Sequence, residues 1–448
     1  MFKLTMAALL GVAISTSSLA QNLQVVGTQL QDSLGTQVIL RGVNYPIIDD
    51  YAIQMSNYAA VEAKIDQVAL SGANCIRFPW YTDGTHYKDQ MNPLTDPGYG
   101  PGTLDSYVTN GHLSHMLQYT YSKGMIPILE IHNLTGGNDH AEFQSVVMSF
   151  WTDPSVLQLI DENKDYLIIN LANEYGLVNF SGSPAVNLTA FKNNYISSIA
   201  AMRNAGVHIP IMIDAPDYGQ SSTPLTTIAS EIITSDVDAN VLFSVHAYWF
   251  AYANTQVSIQ TKMNEMTATN CAFVLGEIAN SQADAPTYCG ELDLSTLYPI
   301  VLEEACSRNL GWLAWSWDQD CDPDREMTSN GNVSNATTYG LDIINNTSYG
   351  LKSTSGCGAE LVYSSASLNE ESTEKDFNVF PNPMKNSFRI QMECEKAEVK
   401  IYSLLGELQS ESTISKNDEM NVSNLLKGSY IVVIEAENKK QIKRIVIQ

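Results

Sequence analysis

Between residues 21 and 357, short apolar runs alternate with longer stretches whose apolar positions recur at helical spacing. The runs are VILRGVNY, NCIRF, IPILEIH, YLIINLANE, IPIMID, VLFSVHAY, AFVLGE and GWLAWSW. They read as strands covered on both faces, as in a parallel sheet layered with helices. Intervening stretches such as AAVEAKIDQVALSG and LTAFKNNYISSIAAMRNAG have the amphipathic period of the covering helices. Gly206 ends the second of these as a C-cap. A hairpin, LQVVGTQLQDSLGTQ, precedes the first run. Eight such units in about 340 residues predict an α/β fold of the (β/α)8 TIM barrel type. An open doubly wound sheet is the rival architecture. It more often shows a Gly-rich phosphate turn after an early strand, and the sequence has none.

The pattern changes near residue 357. AELVYSSASLNEESTEKD, 359–376, is rich in Ser and Glu, has little to pack, and reads as a linker. Beyond it, FNVFPNP, NSFRIQM, EVKIYSLLGE and GSYIVVIEAENKKQIKRIVIQ alternate in polarity between Pro, Gly and Asn turns, predicting a small C-terminal antiparallel β-sandwich. At the other end, Lys3 is followed by the apolar run LTMAALLGVAI and then STSSLA. A basic start, apolar middle and small-residue end predict a signal peptide cleaved after Ala20. The expected organisation is therefore 1–20 signal peptide, 21–357 barrel, 358–376 linker and 377–448 sandwich. No segment after residue 20 approaches the apolar length of a membrane span.

A formal charge of −25 argues against nucleic acid or an anionic membrane as partner, and suits a neutral substrate. Seven cysteines in an exported chain permit disulfides. Cys75, inside ANCIRF, reads as a free buried thiol, and Cys394 lies in the tail. No CxxC pair suggests structural zinc. In a barrel, Cys271 and Cys306 fall near the bottom face, while Cys289 and Cys321 fall in top loops. The pairings 271–306 and 289–321 are expected, with Cys357 left over.

Barrels of this kind place chemistry at the carboxyl ends of their strands. The residues there are Asn44, Arg77, His132, Asn173 with Glu174, Asp214, His246 with Tyr248, Glu277, and Trp315 with Trp317. Any one of them could be a solvated rim residue. Eight polar endings converging on one pocket are harder to explain that way. Glu174 and Glu277 are the only glutamates in the set and lie on facing strands four and seven. Such a pair, ~5–5.5 Å apart, is what a retaining glycosidase uses to attack an anomeric carbon and protonate the leaving oxygen. Spacing alone does not say which glutamate does which.

LRGVNY, GANCIRF, ILEIHN, IINLANE, FSVHAY, VLGE and GWLAWSW, in order, resemble glycoside hydrolase family 5. The resemblance implies Glu174 as acid/base and Glu277 as nucleophile. It implies Asn173 on the sugar 2-hydroxyl, Arg77 and Tyr248 supporting Glu277, His132 and His246 lining the subsite, and Trp315 as the stacking platform. IPIMIDAPDYGQ, NVLFSVHAYWFAYA and TTYGLDIINNTSYGLKSTS look closest to bacterial endo-β-1,4-mannanases. Tyr175 after the acid/base, APDYGQ in place of a Trp-containing turn, and a long acidic loop after strand eight depart from the family pattern. An endo-β-1,4-glucanase is the main alternative, and a degenerate glycan-binding barrel a more distant one. The tail, through FPNP, VKIYSLLGE, LLKGSYIVVI and KRIVIQ, resembles the C-terminal sorting domain of type IX secretion. That implies export to the cell surface or beyond, with the secretion machinery as a partner.

Two further motifs are read as structural. His112 and His115 have metal-like spacing but no third ligand. DQDCDPDRE, 318–326, superficially resembles a calcium loop, yet Pro323 and Ser329 stand where a Gly and an acidic ligand belong, so a solvated acidic rim is expected. A metal-dependent hydrolase would need clustered ligands, whereas His132, His246 and Asp214 lie on separate strands. The expectation is thus a monomeric hydrolase of a β-1,4-linked polysaccharide, without metal or cofactor.

Overall fold

The computed structural model describes residues 22–49, 55–82, 107–283, 290, 292–353, 377–380, 384–392, 394–403, 408–416, 418–425, 428–436 and 439–447. The expected signal peptide and linker lie outside them. The chain divides into two compact units, Met1–Ser367 and Leu368–Gln448.

In the first unit, three short strands, β1 (Gln24–Val26), β2 (Gln29–Gln31) and β3 (Gln37–Val38), form an antiparallel sheet where a simple hairpin was expected. A closed parallel barrel follows: β4 (Arg41–Asn44), β5 (Cys75–Trp80), β6 (Ile126–Ile131), β7 (Ile168–Asn170), β8 (Ile211–Asp214), β9 (Val241–His246), β10 (Ala272–Ile278) and, after the small pair β11 (Ser281–Gln282) and β12 (Leu292–Asp293), β13 (Gly311–Ala314). Each of the eight apolar runs supplies one barrel strand. The helices Tyr58–Ala69 and Pro184–Asn204 occupy two of the expected amphipathic stretches, and Gly206 follows the second at φ +89°.

Alternation along a strand sends successive side chains to opposite faces. Ile76, Leu129, Ile169, Ile213, Phe243 and Leu275 face outward into the layer shared with the helices. Cys75, Ile126, Ile128, Ile168, Met212, Leu242, Val274 and Leu313 face inward and form an apolar floor. Leu23, Val25, Leu30, Val38 and Leu40 from the N-terminal segment join that cluster and plug the lower end of the barrel. One inward step higher, the residues change to Arg77, Glu130, Asn170, Asp214 and Ser244, all fully buried.

Cys75 is a free buried thiol, as its strand position suggested. Cys271 is also free, so the expected 271–306 pairing is not formed. Cys271 sits beside Ala272 at the start of β10, packed in the core, and burial pushes its thiol up. Cys306 and Cys321 are each disulfide-bonded. Cys289 and Cys357 lie outside the described residues.

Among the described residues the second unit contains seven strands: β14 (Phe377–Phe380), β15 (Ser387–Met392), β16 (Lys396–Ser403), β17 (Leu408–Ser415), β18 (Glu419–Asn421), β19 (Gly428–Ala436) and β20 (Lys439–Ile447). They form antiparallel sheets ordered β14-β15-β18 and β17-β16-β19-β20. Phe388, Ile390 and Met420 from the first sheet share one core with Val399, Ile401, Val432, Ile434 and Ile445 from the second. This is the expected small β-sandwich.

Candidate active site

Arg77 organises the carboxyl end of the barrel. Its Nε donates to Asn170 Oδ1 at 2.9 Å, and Nη1 donates to Asn44 Oδ1 at 2.9 Å and Glu277 Oε1 at 2.7 Å. Nη2 donates to Asn173 Oδ1 at 2.8 Å and Asp214 Oδ2 at 3.3 Å. Five contacts match the five N–H groups of a guanidinium, which makes this orientation specific. Burial alone would discourage its charge, but the carboxylates of Glu130, Asp214 and Glu277 outweigh it and hold Arg77 cationic. Asp214 responds in kind: burial is overcome by His246 and Arg77, which keep its carboxyl well below the usual range.

Glu277 reaches this network through an irregularity. The register of β10 slips between Leu275 and Glu277 against β9 and between Leu275 and Ile278 against β13. The bulge turns Glu277 inward where strict alternation would have placed Gly276. Residue 276 has to be glycine, because a Cβ there would lie 2.1 Å from Ser244 Oγ. Glu277 Oε2 accepts from the Tyr248 hydroxyl at 2.7 Å. Burial pushes the Glu277 carboxyl up, while the nearby His246 and Arg77 charges pull it down. Burial, together with the Glu277 anion, keeps the Tyr248 phenol neutral and therefore a donor.

Glu174 lies just beyond β7 with its backbone in the left-handed region, at φ +48°. A non-glycine residue there needs to be held. Its N–H donates to Asp214 Oδ2 at 3.1 Å, and its carbonyl accepts from Gly136 at 3.0 Å. His246 Nδ1 lies 2.7 Å from Glu174 Oε1 and 3.4 Å from Glu277 Oε2, with Nε2 3.4 Å from Asp214. Burial opposes charge on this imidazole, but Glu277 and Asp214 prevail, and its pKa is pushed up to about 10. Ligand-capable atoms of Glu174, His246 and Glu277 all fall within 4.8 Å of one another. The Arg77 guanidinium, 2.7 Å from Glu277 Oε1, brings a positive charge to the edge of this group.

His132 stands on the other wall. Its Nδ1 lies 3.0 Å from Glu130 Oε2, and Nε2 is 3.3 Å from Asn173 Nδ2. Burial lowers its affinity for a proton, but the Glu130 carboxylate more than compensates and raises it. Trp315 stacks beside His132 with ring centroids 5.7 Å apart. Trp312 and Trp317 are fully buried, leaving Trp315 as the indole that meets the site residues. All eight sequence-predicted residues thus meet at one mouth. Glu130 and Asn170 belong with them, although neither stands at the end of its apolar run. The signal was available, since Glu130 precedes His132 by two positions and shares its inward parity.

The acidic loop is not the solvated rim that was expected. Asp318, Asp320 and Asp322 are buried. Trp315 Nε1 donates to Asp320 Oδ2, and Arg325 Nη2 donates to Asp320 Oδ1 at 2.8 Å. Asp322 accepts from Ser281 Oγ at 2.8 Å and from the backbone of Asp324 at 3.0 Å. Its carboxylates are occupied within the protein, buttressing Trp315 and the β11 segment. His112 and His115 are likewise structural, paired with Tyr58 at 3.2 Å and Glu62 at 3.0 Å.

Two buried glutamates side by side at the carboxyl end of a parallel barrel, one backed by an arginine and a tyrosine and the other by a histidine, are the equipment of a glycoside hydrolase. Residues 32–320 match the family described as Cellulase (glycosyl hydrolase family 5). The chain belongs to glycoside hydrolase family 5. Residues 378–448 match the secretion system C-terminal sorting domain, and the chain therefore carries a type IX export signal directing it to the cell surface or beyond. It is 26% identical over 350 residues to a mannan endo-1,4-beta-mannosidase of Cellvibrio japonicus (strain Ueda107), covering 77% of this chain and 71% of that one. It is 24% identical over 294 residues to a mannan endo-1,4-beta-mannosidase of Salipaludibacillus agaradhaerens, covering 65% and 80%. Among solved structures, the fold resembles the beta-mannanase from Streptomyces thermolilacinus, with a TM-score of 0.56 and 21% identity, over 74% of this chain and 95% of that one.

Proposed function

We propose that the protein is a retaining endo-β-1,4-mannanase in which Glu277 is the nucleophile and Glu174 the acid/base. The observation that carries this reading is the placement of both carboxylates within 4.8 Å, atom to atom. Inverting enzymes keep their carboxyl groups about 6.5–9.5 Å apart to admit a water molecule, whereas retaining enzymes bring them to about 5–5.5 Å.

In the first step Glu277 attacks the anomeric carbon, the bond from that carbon to the leaving oxygen breaks, and Glu174 gives its proton to that oxygen. In the second, Glu174 takes a proton from water as the water oxygen attacks the same carbon. The ester bond breaks and Glu277 returns as a carboxylate. Arg77 and Tyr248 fix both oxygens of Glu277 at 2.7 Å, so the nucleophile is aimed before substrate arrives. His246, 2.7 Å from Glu174, orients the acid/base. Asn173 holds the sugar 2-hydroxyl, and His132 and Trp315 form the wall and floor beneath the reacting sugar.

The names of the two relatives favour mannan as the backbone. In this reading residues 1–20 are a signal peptide, 21–357 the catalytic domain and 377–448 the sorting domain of a monomeric enzyme. The test is reducing-sugar release from galactomannan and carboxymethylcellulose side by side, with Glu174→Gln and Glu277→Gln as controls. Release from galactomannan, abolished in both variants and with the β-anomer appearing first by proton resonance, is the expected outcome. Release from cellulose alone moves the substrate to glucan, and first appearance of the α-anomer overturns the retaining mechanism.

A further inference from the structure

Three carboxylates face the His246 imidazole. Nδ1 lies 2.7 Å from Glu174 Oε1 and 3.4 Å from Glu277 Oε2, and Nε2 lies 3.4 Å from Asp214 Oδ2. Two of the three change charge during the proposed reaction. Glu277 becomes an ester in the glycosyl-enzyme, and Glu174 gives up a proton and takes another back. Asp214 forms no bond in either step and keeps its charge throughout.

Asp214 ends β8, is fully buried, and is tied to every part of the acid/base arm. Its Oδ1 accepts from Asn170 Nδ2 at 3.2 Å. Its Oδ2 accepts from Arg77 Nη2 at 3.3 Å and from the Glu174 backbone N–H at 3.1 Å. The last bond holds Glu174 in the left-handed region, at φ +48°, where a non-glycine residue persists only under restraint. One buried carboxylate thus grips the backbone of the acid/base and faces the histidine beside its side chain.

The imidazole itself is held in place. A Cβ at Gly219 would come within 2.5 Å of its Cγ, and one at Gly276 within 3.1 Å of its Nε2, so two elements press on the ring. The His246 backbone N–H donates to the Gly219 carbonyl at 2.8 Å. Nδ1 therefore stays on Glu174 and Nε2 on Asp214. The protonation of that ring decides where the catalytic proton sits. A neutral imidazole with its hydrogen on Nε2 would make Nδ1 an acceptor, and Glu174 would give its proton to the histidine instead of the leaving oxygen. An imidazolium cannot accept. Its Nδ1–H occupies Oε1 and leaves Oε2 to carry the proton.

We propose that Asp214 is a positioning residue for proton transfer: by holding His246 as a permanent donor to Glu174 Oε1, it confines the catalytic proton to Oε2. The inference rests on Glu174 being the acid/base. In the first step Oε2–H gives its proton to the leaving oxygen as the bond from that oxygen to the anomeric carbon breaks. In the second, Oε2 takes a proton from the attacking water. His246 keeps both ring protons in each step. Asp214 is what allows this, because it alone among the three facing carboxylates is still an anion in every state of the cycle.

The test compares wild type, Asp214→Asn and Glu174→Gln. kcat/KM is measured on β-1,4-mannohexaose, whose leaving sugar needs a proton, and on dinitrophenyl β-mannobioside, whose leaving group departs without one. Asp214→Asn is expected to lower the hexaose-to-aryl ratio by about tenfold or more, because its loss falls on proton delivery. A merely structural role lowers both rates alike, so an unchanged ratio overturns the proposal. Glu174→Gln tests the reading beneath it. If its ratio is also unchanged, the acid/base assignment fails; if its ratio falls and that of Asp214→Asn does not, only the positioning role fails. A second measurement holds even where Asp214→Asn does not fold. With isotopically labelled histidine, the ring nitrogens of His246 in wild type, assigned by their loss in His246→Asn, are read by magnetic resonance at about pH 8, above the ordinary histidine range. Two nitrogens resonating together mark the expected imidazolium, and a widely split neutral pair overturns the proposal. If wild type prefers cellohexaose, the same ratios are read in the cello series.

Discussion

The lower and upper halves of the barrel interior are carried by the same strands and yet are opposite materials. Below, Cys75, Ile128, Ile168, Met212 and Leu313 pack against the N-terminal plug without a polar atom to satisfy beyond the backbone. One inward step higher, Arg77, Glu130, Asn170 and Asp214 are as deeply buried and carry charge. Removal from water stabilises the first group and penalises the second, so the upper layer survives only because each charge is paired. Pairing fixes position, and fixed position is what the glutamates above it require. The floor supplies stability and the charged layer supplies geometry.

This division can be tested by substitution in each half. Largest in effect, Glu277→Gln lowers kcat by roughly 10⁴-fold or more and Glu174→Gln by roughly 10²–10⁴-fold, with little change in urea denaturation midpoint. A parallel collapse of stability would mean the upper layer is chiefly structural. Arg77→Met comes next. Left without their cation, Glu277, Asp214 and Glu130 cost the fold about 3–5 kcal/mol in urea unfolding, and activity falls as the nucleophile loses its aim. Ile128→Ala, in the floor, costs about 2–5 kcal/mol while kcat and KM stay within about twofold of wild type. A large kcat effect there would break the separation.

The smallest effect is a pH dependence. The folded His246 pKa of about 10 lies above its unfolded value near 6.5, so bound protons favour the native state. This contribution is complete below about pH 6.5 and drains away as pH rises toward 10. Thermal midpoints should decline across that window in wild type and decline less in His246→Asn. Equal slopes would show that other groups dominate.

Much of this was legible in the sequence because buried parallel strands announce themselves as apolar runs, and IPILEIH or VLFSVHAY can hardly be anything else. Glu174 and Glu277 were visible because each ends such a run. Glu130 and Asn170 escaped because they sit within a run, where a polar residue looks like an interruption until inward parity is followed downward. The bulge at Gly276 escaped for a related reason: alternation alone would point Glu277 at the helices. The acidic loop misled through composition. Aspartates at every second position look solvated, and only Arg325, Trp315 and Ser281 folding back onto them turn the loop inward. The 271–306 pairing failed because sharing one end of a barrel does not bring two sulfur atoms into bonding range.

The plug has a consequence for the order in which the molecule assembles. Val25 donates its N–H to Asn240 Oδ1 across 215 residues of sequence, and the floor it closes reaches as far as Leu313. Strands β1–β3 therefore have no seat until nearly the whole barrel exists. Contacts of such long sequence separation form late and slowly. Amide hydrogens of the plug are accordingly a clock for the finished barrel, acquiring protection from exchange only when its last strand has closed the ring.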